Sequence, residues 1–315
     1  MSTDKAPESH DIEQAVESPN TDEKTNENDN TETEESPVNT KLNHYNFVNV
    51  AAFILNLLVT YGIGTLGWGN RPTNGELSDK YQTIITPFST SFIIWAPIFL
   101  LQGIWALLWQ FVYCKQRNHP AVFAIGYWYL IVCLVQAGWT LSFSFEINWL
   151  ALIFMLSILL CLGILHYRLQ QCIDEKQRYT WKGYLIWQLP FSLHLGWITA
   201  ASVLNINVVL VAYGASANAQ FGFAIASLVL LLIAVGAYLA ERPNSDFAPP
   251  LALVWALGGV YAELQNPSGS IVRRFSSSQI DGFQLGVLIT MCVAIAAVAL
   301  KVGLVLFERF RRSKN

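Results

Sequence analysis

Most side chains able to do chemistry inside the long apolar stretches of this sequence are uncharged. Trp95, Trp139 and Trp197 offer indole faces for stacking, and Gln136 and Asn205 offer amides that both donate and accept. His194 is the histidine deepest in an apolar run, where it reads as a hydrogen-bonded core group, a ligand contact or, more remotely, a haem axial ligand. Lys301 lies in the last apolar run and is the residue type that carries a retinal-like Schiff base. It stands only about two turns from Arg309, so snorkelling to the membrane surface is the simpler reading. Cys114, Cys133, Cys161, Cys172 and Cys292 form no CxxC, and the histidines show no ligand spacing, so neither a metal nor a cofactor is expected. Gly62-Ile-Gly64-Thr-Leu-Gly67 spells a dinucleotide fingerprint, but it ends an apolar helix instead of following a strand. It reads as packing or loop glycine. With no paired carboxylates in the apolar runs and no nucleophile–base arrangement, an enzyme is not expected.

The polar and indole groups share helical faces. Pro190, His194, Trp197, Ala201 and Asn205 are spaced 4, 3, 4 and 4. Trp95, Phe99, Gln102, Ala106 and Trp109 repeat the pattern, as do Cys133, Gln136, Trp139 or Thr140, and Phe143. Amides and indoles in a membrane turn inward, where partners exist. Three such faces either line an apolar pocket with a few hydrogen-bonding groups or act as ordinary interhelical glue. On the pocket reading the ligand-binding residues are Trp95, Phe99, Gln136, Trp139, His194, Trp197, Ala201 and Asn205. Trp149 and Trp181, near span ends, read as interfacial anchors.

The elements that must position these groups follow from composition. The 315 residues are 53% hydrophobic and 13% charged, against about 25% charged in soluble domains. Residues 1–40 hold 12 of the 22 acids and 2 of the 19 bases, leaving a remainder with a net charge of +7. That acidic segment has almost nothing to bury and is expected to be a disordered tail, residues 1–43. Charge-free stretches then mark spans at 45–66, 88–113, 121–143, 147–167, 183–212, 219–240, 247–262 and 282–307. The fifth and sixth come from one 58-residue stretch without a charge, broken at Gly214-Ala-Ser-Ala-Asn218. About eight transmembrane helices make an all-α integral membrane protein. Twelve bases, from Lys41 to Lys314, fall on the side of the termini, and four (Arg71, Lys80, Arg273, Arg274) on the other. This bias places both ends in the cytoplasm. A basic tail, 309–315, closes the chain.

At this level of detail the spelling resembles a known family. Thr86-Pro87 followed by Phe92, Trp95 and Phe99 is similar to the second-helix opening of the TspO/MBR family of translocator and tryptophan-rich sensory proteins. Gln136-Ala-Gly-Trp139-Thr-Leu-Ser-Phe143 resembles its third-helix motif. Leu189-Pro190-Phe191, then Gly196-Trp197 through Ala201 to Asn205, resembles its fifth. Pro190 and Trp197 stand three residues further apart than in that family, its third-helix Asn is Ala137 or Gly138 here, and no cholesterol-type pattern follows Tyr213. The likeness covers residues 45–212 and predicts a five-helix core, 44–213, with three additional helices, 214–308. It implies a helical bundle that binds porphyrins or other lipophilic ligands in a cavity capped by the first loop, residues 67–86, and dimerisation by analogy. The expected role is sensing or translocating a planar, tetrapyrrole-like ligand, with membrane lipid as the surrounding partner and nucleic acid excluded. The rival is a secondary transporter, supported by the proline-interrupted helices at Pro97 and Pro190.

Overall fold

The computed structural model describes residues 43–112, 120–172, 181–241 and 246–314, and among these every regular element is helical. The acidic segment 1–42 lies outside the described residues. The elements are α1 (His44–Gly62), α2 (Asn74–Lys80), α3 (Trp95–Ile104), α4 (Pro120–Ile125), α5 (Trp128–Ser144), α6 (Asn148–Cys172), α7 (Leu189–Ala212), α8 (Ala217–Ala240), α9 (Ala248–Gln265), α10 (Gly269–Arg274) and α11 (Ser277–Lys314). Six segments are long and apolar enough to cross a membrane: α1, Ser89–Trp109, α6, Tyr184–Ala212, α8 and Ser277–Glu308. The 17-residue α5 is shorter, and α9 adds an eighth rod-like element to the bundle. The chain is an all-α integral membrane protein.

Contacts at the two ends sort the loops. At one end Gln82 of the first loop reaches Glu263, Ser268 and Ser270, and Lys80 reaches Glu146. At the other, Asn46 meets Gln110, Arg168 reaches the Ala124 carbonyl, and Tyr184 meets Asp246. Successive connections therefore alternate between ends. The break anticipated at 214–218 falls between α7 and α8, where Gly214 takes a φ of 70° and Ser216 caps α8 through the Ala219 N–H. The last helix carries on to Lys314, through the residues set apart in sequence as a basic tail.

Two crossings are not plain α-helix. Trp105–Trp109 and Tyr184–Gln188 are π-helical turns. The second precedes Pro190, which has no N–H to give and whose ring crowds the carbonyl four residues back. In the first, the Gln110 side chain donates to the Ala106 carbonyl at 2.6 Å, occupying an acceptor in the widened turn. An extra residue per turn rotates everything beyond it. Trp105 is fully buried, and Trp109, grouped with Trp95 by simple spacing, is partly buried like Trp95.

The described residues all belong to one compact unit, and the last three helices are built into it. One apolar cluster runs from Ile94 and Ile98 through α7, α8 and α9 to Val287 and Ala294 on α11. Two glycines permit α9 to come so close. A Cβ on Gly196 of α7 would stand 2.5 Å from the Pro249 Cα, and one on Gly259 would stand 2.0 Å from the Ser91 Oγ. Gly259 also accepts from the Phe88 N–H at 2.9 Å. Prolines 249 and 250 sit in the first turn of α9, where missing N–H groups cost nothing.

Candidate functional site

The close approach of α9 to α7 and to residues 83–94 leaves an apolar chamber of about 80 Å³ between them. Its wall contains Trp95, Trp139, Trp197, Ala201 and Asn205, five of the eight residues expected from sequence. Farther along the chain, Leu231 of α8 and Ala256, Leu257 and Val260 of α9 add to it. Two of the three additional helices thus build part of the site. No charged side chain lines this chamber.

The indoles are set by edge contacts. Trp95 and Trp197 meet at 6.3 Å with an interplanar angle of 83°, and Phe92 lies against Trp197 at 5.7 Å and 87°. Both are edge-to-face pairs, the arrangement favoured by the ring quadrupole. Trp139 stacks on Phe143 one turn away, at 5.5 Å and 15°. Asn205 holds that indole: its Oδ1 accepts from Trp139 Nε1 at 3.2 Å, and its Nδ2 donates to the Ala201 carbonyl at 2.9 Å. Asn205 is therefore first of all the residue that orients Trp139.

The other three expected residues sit elsewhere. Phe99 lines only the adjoining outer chamber, packed against Tyr61 and Trp95. His194 faces Gln102, whose Nε2 donates to its Nδ1 at 3.0 Å while Tyr129 donates to Gln102 Oε1 at 3.2 Å. That chain makes it a hydrogen-bonded core histidine lining neither chamber. Gln136 is fully buried, lines neither chamber, and has no protein partner for either amide atom.

The outer chamber has a volume of about 790 Å³ and shares Asn74, Ser78, Pro87, Phe92, Trp95 and Trp139 with the inner one. Asn74 and Ser78 belong to α2, which lies over the junction as a cap. Thr73 and Glu76 form its capping box, and Leu77 anchors it in the core at 1% exposure. The far end of the cap is tied on two sides. Lys80 and Tyr81 both donate to Glu146 in the turn after α5, and Arg71 lies 3.8 Å from the centre of the Phe145 ring. Glu146 itself holds a left-handed φ of 61°, unusual for a residue with a side chain. On the second side Gln82 donates to Glu263 at 2.7 Å and accepts from Ser268 and Ser270, and Arg274 donates to its carbonyl oxygen.

Hydrogen bonds from Lys80 and then Tyr81 hold the Glu146 carboxyl below the usual carboxylate range. A carboxyl depressed on folding stabilises above its unfolded value and loses that contribution as pH falls through its folded value. The exchange protection of residues 71–82, relative to the intrinsic rate at each pH, is therefore expected to fall as pH drops below about 4.5. In Glu146→Gln the protection at neutral pH should be lower and its acid dependence lost. A cap whose protection is unchanged in that variant would show the latch to be idle.

A polar network at the opposite end escaped the sequence reading. Asp246, 1% exposed, accepts from Tyr184 Oη at 2.8 Å, Gln188 Nε2 at 2.9 Å and the Ala248 N–H at 3.0 Å. As the first residue of α9, Ala248 has no intrahelical acceptor for its N–H, and Asp246 satisfies it. His166 lies between Asp246, 3.9 Å away, and Glu241 at 3.0 Å. The signal in the sequence was an acid two residues ahead of Ala248-Pro249-Pro250, an N-terminal helix signature.

Fold and cavity together define a multi-pass helical membrane protein enclosing a capped, indole-walled chamber. The family described as TSPO-like protein matches residues 46–306, and the chain belongs to that family. The match runs past residue 212 to the last helix, so α8, α9 and α11 lie within the family's own extent. No curated protein and no solved structure matches the chain.

Proposed function

We propose that this protein binds a planar, lipophilic ligand of tetrapyrrole-like kind in the chamber beneath α2, as a non-enzymatic sensor or carrier. The observation that supports this reading is the chamber's lining: three indoles, aliphatic side chains, two amides and no charge. Stacking on such indoles contributes on the order of 1 kcal/mol per ring beyond simple burial. Of the eight residues read from sequence, Trp95, Trp139, Trp197 and Ala201 would contact the ligand, Asn205 would orient Trp139, and Phe99 would guard the mouth.

The base distribution supports an orientation with both termini in the cytoplasm and α2 on the opposite face. The test is a titration of the full-length protein in nanodiscs with an uncharged porphyrin, followed by tryptophan quenching. Saturable, stoichiometric quenching is expected. Linear quenching, equal to that of tryptophan in empty nanodiscs, would contradict it. Counterflow of the same porphyrin in proteoliposomes separates carrier from sensor.

A further inference from the structure

The inner chamber is silent about the charge of its occupant, but the outer one is not. Among the residues lining the two chambers, Asp79 and Glu263 are the charged ones, and both are acids. The four bases at this end, Arg71, Lys80, Arg273 and Arg274, line neither chamber. Three of them are engaged elsewhere: Arg71 over Phe145, Lys80 with Glu146, and Arg274 with Gln220 and the carbonyl of Gln82. The surface of α2 turned to the chambers carries Asn74, Ser78 and Asp79, and Gln82 follows two residues beyond its end. Asn74 gives an independent sign of the missing chemistry. Its Oδ1 is enclosed with no donor, although the residue lines both chambers at their junction. A buried acceptor without a donor is costly and rare in a finished structure. Gln82 donates to one oxygen of Glu263 and already receives two serine hydroxyls.

Building on the planar-ligand reading above, we propose that the occupant is amphipathic. Its apolar ring system fills the inner chamber, and a hydrogen-bond-donating cationic group, such as a protonated amine, projects into the outer one. There it meets Asp79, Glu263 and the Asn74 carbonyl. A ligand ending in carboxylates would place like charges beside Asp79 and Glu263 and leave the Asn74 acceptor unpaired. The mouth thus selects by charge among ligands that the inner chamber accepts by shape.

Three porphyrins of one ring system, bearing amines, no charge or carboxylates, test this in nanodiscs of zwitterionic lipid by tryptophan quenching. At low salt the cationic probe should bind about tenfold tighter than the anionic one, because a unit charge within about a Debye length of two carboxylates is favoured to that extent. The preference should shrink as salt rises. In the double variant Asp79→Asn, Glu263→Gln it should fall below about threefold. Glu263→Gln retains the oxygen that accepts from Gln82, so the cap keeps its tie. Equal binding of all three probes, or tighter binding of the anionic one, overturns the charge assignment while leaving the planar-ligand reading intact. A cationic preference that survives in the double variant overturns the assignment to these two carboxylates. Absence of saturable quenching by any of the three overturns the planar-ligand reading, and this inference with it.

Discussion

Trp197→Ala is expected to weaken porphyrin binding by at least about tenfold and to lower the stability of the protein by roughly 3–5 kcal/mol, the range for truncating a buried tryptophan. The two effects have one origin. Trp197 is 3% exposed, holds Phe92 and Trp95 by its edges, and presents its remaining surface to the inner chamber. Because the alanine variant loses packing and stacking together, Trp197→Phe is the informative companion. It keeps a ring for Phe92 and Trp95 to pack on while narrowing the surface offered to the ligand. Its melting temperature should stay near that of the native protein, with affinity reduced several-fold. A phenylalanine variant that loses stability but binds as before would make Trp197 interhelical glue.

Asp246→Ala should destabilise by about 3–5 kcal/mol, since removing one partner strands the others in a buried site. Three donors, on Tyr184, Gln188 and Ala248, lose their acceptor at once. Water does not reach them cheaply at that depth. Asp246→Asn retains one acceptor oxygen and should recover part of the loss. Asp246 lines neither chamber, so folded protein of either variant should bind the porphyrin within about threefold of the native affinity. Chemical unfolding in detergent measures the first effect and the quenching titration the second. A melting curve unchanged in Asp246→Ala would show that the network contributes nothing.

The helices were legible because a membrane demands long uncharged runs, and the break after α7 was legible from Gly214 and Ser216. The faces bearing Trp95, Trp139, Trp197 and Ala201 followed from 3.6-residue periodicity. Periodicity assigns a side of a helix, though, and not the neighbour opposite it. His194 shares the face of Trp197 yet turns to Gln102 and Tyr129. Gln136 is one turn from Trp139 and lies behind the chamber wall. The π turn at Trp105–Trp109, where Gln110 fills the Ala106 carbonyl, is revealed by no residue count. The contribution of α9 was invisible for a different reason. It depends on Gly196 and Gly259 meeting backbone and side chains more than fifty residues away in sequence, a match between surfaces that neither segment encodes alone.

The most direct test of the account is to fill the chamber without removing any of its walls. Ala201 lies half-buried on α7 and lines the empty space between Trp197 and Asn205. Ala201→Phe should occupy the volume the ligand needs while leaving every described hydrogen bond in place, including the one from Asn205 to the Ala201 backbone carbonyl. The predicted result, in the uncharged-porphyrin titration, is loss of saturable quenching by a variant that melts like the native protein. Native affinity in that variant, with an unchanged melting temperature, would contradict the account, because the ligand would then be binding somewhere other than this chamber.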